Sequence, residues 1–241
     1  MRLARARTAD GVVSGEYDDG RLLTDDGTYD LSEPTTDLLA PAAPSAMYCV
    51  GRNYADKIDQ MNYDIPDEPD FFIKPPTATL PPETDIPYPT FSEKVTYAGE
   101  LAAVIDRRAK NVDPVDVPDV VRGYTILNDV DALDQHRRTA RKAFDGSGPL
   151  GPWIETEMDP YELDMYTDVN GERRQEANTE QMLFDPYEVV SFLSERFTLG
   201  PGDVISFGTP ENPGTIEPGD TVEIYYEDIG TLRNGVAPPA E

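Results

Sequence analysis

The chain has 241 residues, enough for one large domain or a small unit joined to a larger one. It carries 47 acidic against 20 basic residues, a formal net charge of -27. That excludes a free-standing nucleic-acid binder and a protein docking on anionic lipid, since both need a cationic surface. The acidic residues run through the whole chain among ordinary apolar segments, and 13 Tyr with 8 Phe supply a core, so disorder is excluded too. Only Lys57, Lys74, Lys94, Lys110 and Lys142 are lysines; the other basic residues are Arg. A folded chain this acidic and this poor in Lys points to a salt-adapted organism, because the Debye length of ~3 Å at molar salt screens self-repulsion. Cys49 is alone, so no internal disulfide forms, as expected of a reducing cytosol. Met1 to Arg7 is basic but precedes no apolar run, and no stretch approaches the ~20 apolar residues of a membrane helix. The expectation is a soluble cytoplasmic protein without nucleic-acid or membrane partners.

In chain order, residues 1–43 are expected to form a small N-terminal β unit, with turns at Asp18-Asp19-Gly20 and Asp25-Asp26-Gly27. Ala40 to Pro44 reads as a linker to a second unit, 44–241. Met47 to Gly51 is a short buried strand. Residues 57–90, rich in Pro and acids, are expected to be a lid around a short segment, Phe71 to Lys74. Strands are expected at Glu100–Arg107, Gly123–Val130, Asp203–Gly208 and Thr221–Tyr226. Pro-Gly-Asp at 201–203 and 218–220 has type II turn chemistry. The clearest helix is 186–198: Asp185 is a plausible N-cap, Pro186 sits at N1, Glu188 completes a capping box, and Val189, Leu193 and Phe197 share a face. Many short strands with few helices make an α+β, β-dominated fold.

His136 is the one histidine, so no two-histidine zinc motif is possible. Gly146 to Gly151 matches G-x-G-x-x-G literally, but Pro149 and Pro152 prevent a helix from starting there, so it is no dinucleotide site. Carboxylates, Lys, Arg, Tyr and His136 remain for catalysis. Glu100 shares a strand face with position 98, and Asp129 closes the Gly123–Val130 strand. Such carboxylates suit a hard cation.

The order of segments resembles the fumarylacetoacetate hydrolase family. The resemblance runs through Cys49-Val50-Gly51-Arg52-Asn53-Tyr54-Ala55-Asp56, Phe72-Ile73-Lys74-Pro75-Pro76, Tyr97-Ala98-Gly99-Glu100-Leu101 and Gly123-Tyr124-Thr125-Ile126-Leu127-Asn128-Asp129. It continues through Lys142-Ala143-Phe144-Asp145, Pro149 to Trp153, Val169-Asn170-Gly171-Glu172, Gly202-Asp203-Val204-Ile205, Gly208-Thr209-Pro210 and Ile229 to Asn234. It implies a fumarylacetoacetate hydrolase C-terminal-domain-like mixed β-sheet roll, a homodimer, and a Mg²⁺ or Mn²⁺ ion on Glu100 and Asp129. It also implies hydrolysis, decarboxylation or isomerisation of a small 2-oxo or 2,4-dioxo acid, acylpyruvate-like, through an enolate-like intermediate.

The departures fall at the chemistry. The family's Glu-x-Glu reads Ala98-Gly99-Glu100, which removes a metal carboxylate and weakens metal binding, with Glu93 as a local substitute. The catalytic His and Glu of hydrolase members read Lys57 and Gln60. The substrate Arg reads Leu133, and the Gln after it reads His136, or Gln135 if the register slips by one. The expected catalytic residues are Lys57, His136 and Lys142, and the expected substrate-binding residues are Arg52, Tyr54, Lys142 and Thr209. The alternative is a catalytically degenerate member kept as a binding or subunit-partner protein.

Overall fold

The computed structural model describes residues 1–239. The N-terminal segment forms β1 (Arg2–Thr8), β2 (Gly11–Asp18), β3 (Arg21–Thr24), β4 (Gly27–Asp30) and β5 (Asp37–Leu39). Then come β6 (Met47–Gly51), α1 (Ala55–Met61), β7 (Asp70–Lys74), β8 (Thr79–Leu80), β9 (Ile86–Pro87), β10 (Val95–Thr96), β11 (Gly99–Ile105), β12 (Val121–Asn128), β13 (Asp131–Ala132) and α2 (Arg138–Lys142). The chain continues with β14 (Gly148–Glu155), β15 (Asp164–Val169), β16 (Glu172–Asn178), α3 (Pro186–Arg196), β17 (Val204–Ser206), β18 (Thr215–Ile216), β19 (Thr221–Tyr226) and β20 (Gly230–Ala237). The fold is β-dominated, as expected.

One long mixed sheet runs β4-β3-β2-β1-β14-β12-β11-β17-β6-β7, and a second sheet runs β16-β15-β19-β20-β9. The N-terminal strands are not a detached unit. β1 pairs with β14 through Arg2–Glu155 and Leu3–Ile154, so they extend the main sheet. Their own core is small: Ala4, Ala6 and Leu22.

β11 is buried along its whole length, and alternation divides it between two cores. Leu101, Ala103 and Ile105 enter the large cluster shared with α3 and the second sheet. Ala102 and Val104 enter a smaller cluster with Met47, Cys49 and Leu127. Ala98 and Glu100 share that second face. Gly99 lets β11 approach the second sheet: a Cβ there would stand 2.7 Å from Thr167 Oγ1 and 2.8 Å from Ile224 Cγ2.

α3 forms with the expected N-terminus. Asp185 accepts from the Tyr187 and Glu188 amides, and Glu188 returns a bond to the Asp185 amide. Both Pro-Gly-Asp turns place glycine at positive φ, +84° at Gly202 and +96° at Gly219. Asp203 then accepts from Gly200 with one carboxylate oxygen and from Ser45 and Ala46 with the other, which pins the start of β6.

The 57–90 stretch is not one lid. Residues 70–74 pair with β6, 79–80 with β14 and 86–87 with β20, because their backbone groups find strand partners there. The longest part without strand pairing is α1 with residues 62–69. The G-x-G-x-x-G stretch passes from a turn at Gly146 into β14, which holds Gly148 and Gly151.

Candidate active site

The second face of β11 opens into a pocket of about 520 Å³ between α1, α2 and the 209–213 segment. A larger cavity of about 980 Å³ lies under the N-terminal strands near Tyr17 and Trp153. It gathers no buried cluster of titratable groups, so the smaller pocket carries the chemistry.

Two backbone features place the carboxylates. The Ala98 amide donates to Asn128 Oδ1 at 3.1 Å, and the Asp129 amide donates to the Ala98 carbonyl at 2.9 Å. The β11–β12 ladder thus extends one step beyond its strands and sets Asp129 beside Ala98 and Glu100. Both carboxylates are buried and line the pocket. Burial raises the Glu100 pKa to about 7, with the Asp129 charge adding to the rise, although Ser206 Oγ donates to Glu100 Oε2 at 2.6 Å.

Asp129 behaves oppositely. Burial works against its charge, yet Lys142 and Lys74 hold its pKa below the ordinary carboxylate value. Lys142 Nζ bonds Asp129 Oδ2 and lies 3.2 Å from Asp131 Oδ2. Lys74 Nζ lies 2.9 Å from Asp129 Oδ1. Lys74 is wholly buried at the end of β7, where it also donates to the carbonyls of Val130, Lys142 and Ser147. It joins three chain segments beneath the pocket floor.

Helical spacing supplies the other wall. Lys57, Gln60 and Met61 lie three and four residues apart on α1 and face the pocket, while Ile58 is buried behind them. Arg138, Arg141 and Lys142 do the same on α2. Arg141 forks onto Asp131 at 2.9 and 2.5 Å, and Arg138 onto Asp70 at 2.5 and 2.7 Å. Lys57 has no such partner among the described residues. Loss of water on burial, with repulsion from Lys142, lowers its pKa to about 8. Lys142 is also dehydrated, but Asp129 and Asp131 raise its pKa.

Of the residues expected at the site, Lys57, Lys142, Arg52, Thr209, Glu100 and Asp129 line this one pocket. Arg52 stands at the mouth with its guanidinium 4.6 Å from the Tyr63 ring. Thr209 Oγ1 accepts from Gln175 Nε2 at 2.9 Å, which leaves its own proton free for the pocket. Two expected residues do not arrive. Tyr54 is fully buried behind α1, beside Tyr226, and does not line the pocket. His136 is exposed and lies outside the lining. The turn before it is tied down by Asp134, which accepts from Ser92 Oγ and the Glu93 amide, and by Gln135 Nε2 on the Phe91 carbonyl.

Lys74, Asp131, Arg138 and Arg141 belong to the site without having been expected there. One signal pointed to part of it: three of the chain's five lysines (Lys57, Lys74 and Lys142) converge on one place. In a chain that otherwise uses Arg, a retained Lys marks a position that needs a compact ammonium.

The chain belongs to the fumarylacetoacetate hydrolase family, whose C-terminal domain model matches residues 46–237. Its fold is close to that of 5-carboxymethyl-2-hydroxymuconate delta-isomerase from Mycobacterium smegmatis. That comparison gives 40% identity, a TM-score of 0.90 and 100% coverage of both chains. A mitochondrial oxaloacetate tautomerase of Bos taurus is 37% identical over 82% of this chain and 68% of its own length. The crystal structure of fumarylpyruvate hydrolase from Pseudomonas aeruginosa, which holds Mn²⁺ and pyruvate, is 29% identical with a TM-score of 0.75. It covers 86% of this chain and 93% of that one.

A divalent ion on Glu100 and Asp129 was the expectation for this chain, and the donor set does not fit one. Position 98 offers a methyl group on the face of Glu100. Asp129 Oδ2 bonds Lys142 and its Oδ1 lies 2.9 Å from the Lys74 ammonium, while Asp131 is taken by Arg141 and Lys142. Glu93 is exposed and outside the pocket lining. Among the described residues no three His, Cys, Asp or Glu side chains stand together as an ion would require.

Proposed function

We propose that the chain is a tautomerase or isomerase of a small 2-oxo acid, moving a proton between the carbon next to the keto group and the keto oxygen. The observation that carries this reading is the pair Glu100 and Lys57. They line one pocket, and their pKa values, about 7 and about 8, have been drawn together around neutrality. A base and an acid poised near the working pH are what proton transfer at carbon needs.

In this reading the substrate carboxylate lies against Thr209 and Arg52. Glu100, ionised, takes the proton from the carbon. The negative charge moves to the keto oxygen, where Lys142 holds it and Lys57 supplies a proton. Asp129, fixed by Lys74, anchors Lys142 and takes no part in the transfer.

Hydrolysis is less well supported. The positions that the family resemblance assigns to water activation are Lys57 and Gln60. Gln60 donates to Asn212 Oδ1 at 2.6 Å and accepts from the Asn212 amide at 3.0 Å, so its amide clips α1 to the far side of the pocket. On the same footing the protein works in the cytoplasm as a homodimer. Unpaired, buried Cys49 suits that compartment, and no helix among the described residues is long and apolar enough to cross a membrane.

The test is the rate of oxaloacetate keto-to-enol conversion, followed by gain of enol absorbance in molar KCl. Glu100→Gln keeps the size of the side chain and its contact with Ser206. It should lower kcat by a factor of about 100 or more, the usual weight of a general base, with unfolding temperature little changed. Wild-type turnover that Glu100→Gln leaves intact would overturn the assignment. The absence of wild-type turnover on any small oxo acid would favour a binding member of the family.

A further inference from the structure

The charge around this pocket is the reverse of the charge on the rest of the chain. Arg52, Lys57, Arg138, Arg141 and Lys142 line it and Lys74 lies beneath it, six cationic groups in all. Against them stand four carboxylates: Glu100, Asp129 and Asp131 in the lining, and Asp70 behind Arg138. A divalent cation entering here would add two positive charges to an existing positive excess, and would first have to strip an ammonium group from Asp129. A dianion would complete the balance.

We propose that this pocket takes a dianionic oxo acid directly onto the ammonium groups of Lys57 and Lys142, with no divalent cation between protein and substrate. The proposal rests on the oxo-acid reading above and adds how the ligand is held. Three geometric facts support it. Lys142 contacts Asp129 and Asp131 and also lines the pocket. Lys57 lines the pocket without an ion-pair partner among the described residues. Ala98, where the family resemblance implies a metal carboxylate, is only 4% exposed and presents nothing that could hold an ion. An ammonium can do part of what a Lewis acid does for an enolate: it places positive charge and a hydrogen-bond donor at the developing oxyanion.

Oxalate, a dianion shaped like the enolate of a 2-oxo acid, is the probe. Calorimetric titration of chelator-stripped protein in molar KCl, with and without saturating Mn²⁺, gives the reading. The expected result is one oxalate per chain, with Kd in the two conditions agreeing within about twofold. Lys57→Met, on a half-exposed helix face, should weaken oxalate about tenfold or more without lowering the unfolding temperature. Oxalate binding that needs Mn²⁺ would overturn the proposal while leaving the oxo-acid reading standing. Metal-free binding that ignores Lys57→Met would overturn the direct contact. No oxalate binding in either condition would overturn both.

Discussion

Across the whole chain carboxylates outnumber basic side chains 47 to 20, whereas around the pocket six cationic groups face four carboxylates. The two regions obey different constraints. The surface carries charge that salt can screen. In the pocket each charge has a named partner: Arg138 and Arg52 on Asp70, Arg141 on Asp131, Lys142 across Asp129 and Asp131, Lys74 under Asp129. The exceptions are Lys57 and Glu100, whose pKa values are shifted most usefully. A strongly acidic chain thus surrounds one pocket with an excess of cationic groups, and the groups left without an ion partner there are the ones assigned to chemistry.

The comparison can be broken most severely from beneath. Lys74→Met removes an ammonium that is fully buried and serves Asp129 and three carbonyl groups. Removing one member of a buried charge cluster costs about 3 kcal/mol. For a chain of this size that lowers the unfolding midpoint by roughly 6–12 °C, read by thermal unfolding in molar KCl. A shift of under about 2 °C would mean that Lys142 alone satisfies Asp129.

A smaller effect separates the two regions by sign. Raising KCl from dilute to molar should raise the unfolding temperature, because repulsion among exposed carboxylates is screened. The same change should weaken oxalate binding by a few-fold, because attraction to the pocket's ammonium groups is screened as well. Salt that moves both quantities in the same direction would show that the pocket shares the electrostatics of the surface.

Much of the fold was legible in the sequence, for local reasons. The capping box of α3 and the two Pro-Gly-Asp turns announce themselves because their signals are contained within a few residues. β11 and β12 follow from apolar runs of strand length, and Glu100 with Asp129 follows from their ends. Residues 70–90 were harder. Their Pro-rich, acidic composition looks like a loop, while pairing with β6, β14 and β20 comes from distant chain segments. Lys74 was hidden for the same reason: its partners Asp129, Val130, Lys142 and Ser147 are more than fifty residues away in sequence. His136 and Tyr54 show the converse failure. Both are chemically attractive residues next to site residues in sequence, yet a side-chain-locked turn and a buried helix start turn them away.

The pH dependence of kcat/KM for the keto-to-enol conversion of oxaloacetate tests the central claim most directly, comparing wild type with Lys57→Arg after subtraction of the buffer rate. Glu100 must be ionised, so activity rises as pH passes about 7; Lys57 must be protonated, so it falls as pH passes about 8. The account predicts a narrow bell between those limbs for the wild type. In Lys57→Arg the alkaline limb should move up, because a guanidinium keeps its proton. A wild-type profile without an alkaline limb, or a limb that stays near 8 in Lys57→Arg, would contradict the assignment of Lys57 as the acid.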